Sequence, residues 1–476
     1  MRRSILGLLV PLLAVALAAG CSASAPPPPA PPPATPPPAT AVPTVEGDWH
    51  GRIELPGSPL DIGVRLTGGG GTFDLPAQGL LALPLTNLRV TDRSVRFDLP
   101  DVPGNAAFDG VLSEDGTSIS GNYTQAGQTL PFSLARGPLA APARPQEPHP
   151  PFPYRSDDVI YPSGSLTLAG TLTRPVGAGP FPAVLLLSGS GPQDRDESIS
   201  GHKLFLLLAD RLTRAGFAVL RADDRGVGGS GGDLGQATYD DLAADALAGV
   251  AFLQRRPDVD PGRIGLLGHS EGGYLAPLVT QRAAGVVEFV VLVAGPAVRG
   301  QDVLELQNRM ILEQVGAPPA QVEAQVAYVR ELSRLLAAGQ DDAARQLARD
   351  RITEQIAALP ADQRPTPEEI EAQLPVSPAF RSFVTYDPAP ALAALNVPVL
   401  ALFGGKDLQV PPSQSEPAMR ALLAGNPAAT VRVLPGLNHL MQPAATGSPT
   451  EYASIETTMA PEALDLITGW LQENAR

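Results

Sequence analysis

Gly268-His269-Ser270-Glu271-Gly272 sets a serine between two glycines, directly after the apolar run 264–267 and directly before a helical pattern. A G-x-S-x-G segment between a strand and a helix is a nucleophile elbow. The turn is so tight that its neighbours must be small, which Gly268 and Gly272 provide. The Ser270 hydroxyl then stands above a sheet edge at a helix N-terminus, where negative charge is stabilised. A second match, Gly228-Gly229-Ser230-Gly231-Gly232, lies in a Gly-rich loop with no helical pattern after it. That one reads as a flexible turn.

A serine hydroxyl is a poor nucleophile at neutral pH and needs a base, itself oriented by a third group. The chain has five histidines. His50 lies in a β-patterned region, with no partner cluster to make it a ligand. His149 lies in a linker, His202 at the start of an early helix, and His269 is locked in the elbow, facing elsewhere. His439 alone sits in a loop after the last strand, in Pro435-Gly436-Leu437-Asn438-His439, and is the expected base. The acid is expected between serine and histidine, after a strand. Asp407 in Gly404-Gly405-Lys406-Asp407 follows the apolar run 399–403 and fits best. Its rival, Asp387 in Tyr386-Asp387-Pro388, precedes that strand and reads as a helix or turn cap. An acyl-transfer intermediate also needs two backbone N–H donors at its oxyanion. Glu271, after the nucleophile, supplies one. Ser190, in Ser188-Gly189-Ser190-Gly191-Pro192 after the run 183–187, supplies the other. No cluster of His and carboxylates has metal-ligand spacing, so neither a metal nor a cofactor is expected.

The elements that position these residues follow from pattern. Apolar runs at 183–187, 218–222, 264–267, 287–293, 399–403 and 431–434 alternate with helical stretches at 203–215 and 239–254. Continuous apolar strands between helices mean a mostly parallel α/β sheet, covered on both faces. Residues 301–375 interrupt the alternation with helices, Val322, Val326, Val329, Leu332 and Leu336 forming one stripe. An insertion between core strands is expected to cap the C-terminal edge of the sheet. Residues 45–136 instead show short alternating runs separated by turn residues, a small all-β barrel or sandwich. Gly47-Asp48-Trp49 there resembles the G-x-W of lipocalins. Residues 137–153 are a Pro-rich linker, and 154–476 form the catalytic domain.

The chain of 476 residues starts with Arg2 and Arg3, then a short apolar stretch, then Leu17-Ala18-Ala19-Gly20-Cys21. That segment resembles a bacterial lipobox, with residues 1–20 as signal peptide and the Cys21 thiol as the lipidated group. Ala18 stands where the pattern more often has Leu. Cys21 is the only cysteine, so no intrachain disulfide forms. Residues 21–44 continue as a Pro-rich spacer, polyproline II at roughly 3.1 Å per residue. The expected location is the cell envelope outside the cytoplasm, periplasmic or cell-surface, with the membrane as partner through Cys21. A net charge of −15 argues against a nucleic-acid partner.

From about Tyr154 onward the chain resembles the α/β-hydrolases, in its elbow, Gly-rich oxyanion loop and Ser…Asp…His order. Asp223-Asp224-Arg225-Gly226-Val227-Gly228-Gly229-Ser230 is similar to a turn of the esterase, lipase and serine-aminopeptidase branches, where Arg225 and the aspartates are structural. The oxyanion loop has Ser188-Gly189 where His-Gly is common, which leaves its N–H groups in place. The layout of leader, β domain, GHSEGG elbow and GSGPQDRD loop resembles EstD-like bacterial carboxylesterases. The resemblance implies cofactor-free hydrolysis of short- to medium-chain carboxylic esters, a small-molecule substrate. Two alternatives stand beside it. A serine aminopeptidase-like peptidase would need acidic groups for the substrate amine, and Glu271 is a candidate. A non-catalytic envelope binding lipoprotein would have no use for a complete triad.

Overall fold

Ala183–Leu187 is five consecutive buried residues, and a strand with that pattern must be covered on both faces. In the computed structural model it is the end of a strand flanked on both sides by parallel neighbours. The structure describes residues 44–475 apart from 55–59, 76–79, 101–105, 126–127, 140–142, 284 and 358–363. The leader, Cys21 and the Pro-rich spacer up to residue 43 lie outside the described residues. Among the described residues the chain divides into two units, one holding 44–139 with 356–357 and 364–365, the other 143–355 and 366–475.

The first unit is a nine-stranded antiparallel sheet that curls nearly into a barrel. Its strands are β1 (Gly47–Ile53), β2 (Leu60–Thr67), β3 (Gly70–Leu75), β4 (Leu80–Pro84), β5 (Thr86–Thr91), β6 (Ser94–Asp98), β7 (Ala107–Leu112), β8 (Ser118–Gln125) and β9 (Gln128–Arg136). The order is β4-β3-β2-β1-β9-β8-β7-β6-β5. Alternate residues turn inward to one core, in which Phe108 packs on Phe73, Phe97, Tyr123 and Phe132. Trp49 is fully buried, its indole donates to the Val45 carbonyl, and the Arg136 guanidinium lies 4.3 Å over its ring. Two details depart from the pattern. The glycine run at 68–71 turns at Gly68 and Gly69 and enters β3 at Gly70 and Gly71, because a ladder to β2 outweighs the low strand propensity of glycine. Residues 83–90, alternating in apolar side chains, belong to two strands broken at Leu85, whose N–H donates to the Gly71 carbonyl instead.

The second unit carries β10 (Arg155–Ser163), β11 (Leu166–Arg174), β12 (Phe181–Leu187), the short pair β13 (Ser198–Ile199) and β14 (His202–Lys203), α1 (Leu204–Arg214), β15 (Ala218–Ala222), α2 (Tyr239–Gln254), β16 (Val259–His269), α3 (Gly272–Arg282) and β17 (Val287–Val293). Four cap helices follow, α4 (Gly300–Gln314), α5 (Pro319–Ala337), α6 (Asp341–Ile356) and α7 (Pro367–Glu371). Then come α8 (Pro378–Thr385), α9 (Ala389–Ala393), β18 (Val399–Gly404), α10 (Pro412–Leu422), β19 (Ala429–Leu434) and α11 (Pro461–Asn474). The eight-stranded sheet has the order β10-β11-β15-β12-β16-β17-β18-β19, parallel from β15 to β19. The β10–β11 hairpin is antiparallel and closes one edge. This is the α/β-hydrolase fold.

The sheet separates two cores because side chains alternate along a strand. From β12, Ala183, Leu185 and Leu187 enter the core with α2 and α3, and Val184 and Leu186 enter the core with α1 and α11. In the cap, the stripe Val322, Val326, Val329, Leu332 and Leu336 is buried, as amphipathic spacing requires.

Candidate active site

Ser270 follows the last residue of β16 and precedes the first residue of α3, with φ at +52°. A non-glycine residue in that region is strained by about 1–3 kcal/mol. Close approach of backbones holds it there. A Cβ on Gly268 would lie 2.1 Å from the Gly272 carbonyl oxygen, and one on Gly272 would lie 2.1 Å from that of Leu187. The Ser270 N–H donates to Val293 at 2.9 Å, which ties the elbow to β17.

β18 and β19 end side by side, which brings their following loops together. Asp407 and His439 are both buried, and His439 Nδ1 lies 2.8 Å from Asp407 Oδ2. The other carboxylate oxygen, Oδ1, accepts from the Gln409 and Val410 N–H groups at 2.8 and 2.9 Å. The aspartate is thereby aimed at one ring nitrogen. The His439 loop is closed by Asn438, whose Oδ1 accepts from Leu440 and Gln442 N–H. His269 Nε2 lies 3.2 Å from the His439 carbonyl and the two rings are 5.0 Å apart, so the His439 loop rests on the elbow. Neither Ser270 Oγ nor His439 Nε2 has a hydrogen-bond partner among the described residues, leaving both free for a reacting group. Nucleophile–base contacts commonly tighten only with substrate bound.

Ser270, Ser190 and Glu271 line a cavity of about 650 Å³. Its other walls join apolar side chains, including Leu275 from α3, Val303 and Leu304 from α4, and Phe380 and Phe383 from α8, with polar ones such as Arg225, Asp233, Gln307 and Gln409. No hydrogen bond engages the Ser190 or Glu271 N–H among the described residues, so both donors are open. The oxyanion loop is held from behind. Asp224 accepts from the Ser188 hydroxyl at 2.7 Å and from the Gln193 N–H at 2.9 Å. Asp223 is paired with Arg195 at 2.7 Å, and Arg225 with Asp245 at 2.7 Å. These three residues are tied into the scaffold.

The Glu271 side chain has a second position in the site. Its Oε1 accepts from the Tyr239 hydroxyl at 2.7 Å, and burial pushes its carboxyl up to about 7. Burial does the same to Asp224, also to about 7, against its hydrogen bond from Ser188. Asp387 lies elsewhere. It accepts from the Ala389 N–H at the start of α9 and pairs with Arg299 at 3.0 Å, and these hold its carboxyl below the usual range.

Of the remaining histidines, His202 is buried between Thr458 and the Tyr452 carbonyl, and its ring is pushed down by burial. His50 Nδ1 lies 3.1 Å from the Gly137 carbonyl. One residue that sequence patterns do not single out meets the site directly. Glu197, in the loop after Gly189, lies 2.8 Å from His269 Nδ1. It carries no motif, and only the fold brings it across 72 positions to the elbow.

Residues 202–442, just over half of the chain, match the profile of the serine aminopeptidase family S33. The chain belongs to this family. The chain is 30% identical over 305 residues to esterase EstD of Thermotoga maritima, covering 64% of this chain and 65% of that one. It is 34% identical over 114 residues to the putative hydrolase YtaP of Bacillus subtilis, covering 21% of this chain and 38% of the other. Among solved structures, an esterase of Pyrococcus furiosus aligns with a TM-score of 0.42 at 15% identity, over 68% of this chain and 92% of its own.

Proposed function

We propose that the hydrolase is a serine carboxylesterase acting on short- to medium-chain carboxylic esters through an acyl-enzyme. The observation that carries this reading is the buried Asp407–His439 pair, its loop joined through His269 to the elbow that holds a strained Ser270. His439 Nε2 takes the Ser270 proton as Oγ bonds to the ester carbon, and the carbonyl electron pair moves onto oxygen. The Ser190 and Glu271 N–H groups receive that oxyanion. Collapse breaks the bond to the alcohol, which leaves with the proton from His439. Water repeats the sequence on the acyl-enzyme and restores Ser270. A cavity of about 650 Å³ with mainly apolar walls suits an acyl chain of modest length. The similarity to an esterase supports the same reading.

A second reading, a peptidase acting on free amino termini, is favoured by one observation, an acidic residue, Glu271, among those lining the cavity next to Ser270. p-Nitrophenyl esters from acetate to palmitate, run beside aminoacyl-p-nitroanilides, separate the two. Esters up to about eight carbons should be the best substrates and palmitate poor, with the anilides at least about 100-fold slower. Faster turnover of anilides bearing a free amine would move the assignment to the peptidase.

We further propose that Cys21 anchors the protein to a membrane, on the strength of its lipobox-like setting and the Pro-rich spacer after it. Metabolic labelling with a palmitate analogue should mark the wild type and not Cys21→Ser. A wild type that stays unlabelled and free in the medium would be an ordinary secreted enzyme.

A further inference from the structure

Behind the nucleophile lies a second buried histidine–carboxylate pair. Glu197 is fully buried and His269 is 1% exposed. Glu197 Oε1 lies 2.8 Å from His269 Nδ1 and also accepts from the Gly189 N–H at 2.7 Å. His269 Nε2 faces the His439 carbonyl at 3.2 Å. One carboxylate oxygen and one ring therefore connect three segments, the oxyanion loop, the elbow and the base loop. The fit is close, since a Cβ on Gly189 would lie 3.1 Å from Glu197 Oε1 and 3.2 Å from Ser270 Cβ. Glu197 itself has φ at +49°. Its Oε2 is buried without a hydrogen-bond partner among the described residues. A buried ion pair with an orphaned oxygen is a poor device for stability alone.

We propose that Glu197 is a positioning residue of the reaction, its carboxylate and the His269 ring bracing the oxyanion loop and the His439 loop against the elbow. The proposal rests on the serine-hydrolase reading of Ser270. Holding the Gly189 N–H fixes the peptide next to the one that presents the Ser190 N–H. Holding the His439 carbonyl fixes the backbone that carries the base. Both bonds of the His269 ring form together only when the ring has both protons. Burial opposes that state and the Glu197 charge outweighs it, so the ring titrates above the usual histidine range. The charged and titratable groups facing it are Glu197 from the oxyanion side, and Asp407 and His439 from the two loops beyond β18 and β19. As pH rises through its titration, the ring loses one donor, and the brace to one loop is released.

The test compares kcat, KM and pH profiles of wild type, Glu197→Gln and Glu197→Ala on p-nitrophenyl acetate, per active site titrated with a fluorophosphonate. Melting temperatures are measured alongside. Glu197→Ala should lose about 100-fold in kcat with KM within about threefold, the scale of a misplaced oxyanion donor. Glu197→Gln keeps an oxygen for the Gly189 N–H and should recover about tenfold of that loss. Without the charge, its His269 deprotonates earlier, so its alkaline limb should move to lower pH. Should Glu197→Ala fail to fold, the glutamine variant alone decides through its kcat and alkaline limb. Unchanged kcat and pH profile per site, with only a lowered melting temperature, would overturn the proposal. A wild type that neither turns over ester nor takes the fluorophosphonate would instead remove the serine-hydrolase reading beneath it.

Discussion

Ser270→Ala should abolish ester hydrolysis and fluorophosphonate labelling, whereas Ser230→Ala should keep both. The two serines share the same G-x-S-x-G spacing and differ in everything around it. Ser270 stands at φ +52° between β16 and α3, faces the cavity, and has no hydrogen-bond partner among the described residues. Ser230 is buried, donates to the Asp223 carbonyl at 2.8 Å and accepts from the Ala169 N–H at 2.9 Å. Its hydroxyl is committed to joining the Gly-rich loop to β11. Loss of a nucleophile in a triad that acts as a unit costs on the order of 10⁶ in kcat. Loss of the Ser230 hydroxyl leaves a buried donor and acceptor unpaired, costing about 1–3 kcal/mol of stability. That appears as a lower melting temperature with labelling intact. Labelling lost in the Ser230 variant and retained in Ser270→Ala would reverse the assignment.

Asp407→Asn should lower kcat by about 10⁴ with the protein still folded. Asp407 Oδ2 accepts from His439 Nδ1, which leaves Nε2 as the nitrogen that receives the serine proton in the proposed mechanism. An asparagine amide placed there donates to Nδ1 instead and moves the ring proton to Nε2, where it blocks the reaction. The Gln409 and Val410 N–H groups keep their acceptor only if the amide oxygen faces them. That orientation puts the amide nitrogen at His439, which is the damaging one. Asp387→Asn should change kcat less than about threefold. Its carboxylate serves the turn before α9 and Arg299, both outside the reaction. A larger loss in the Asp387 variant would show that the acid had been misassigned.

Local order was legible in the sequence wherever the cause is local. A strand, a glycine-flanked serine and a helix follow one another within a few residues around Ser270. Steric crowding in so short a turn limits what it can be. The parallel strands were legible because burial on both faces demands unbroken apolar runs, as in Ala183–Leu187. The edge hairpin was harder to see. β10 has most of its residues exposed and so lacks that signature. β3 was hidden for a related reason, since glycine carries no side chain to mark a face.

Asp407 and His439 were nominated by type, loop placement and order along the chain. The distance between them, 2.8 Å, comes from the parallel pairing of β18 with β19, a contact no local pattern encodes. Tertiary structure alone decided the rest of the site. It set Glu271 against Tyr239 across 32 positions, so that burial lifts a carboxyl one residue from Ser270. It brought Glu197 under the elbow and across to Gly189. A glutamate in an irregular loop has no periodicity and no spacing rule to mark it. Its partners are chosen by where the sheet ends its strands, and that depends on packing summed over the whole domain.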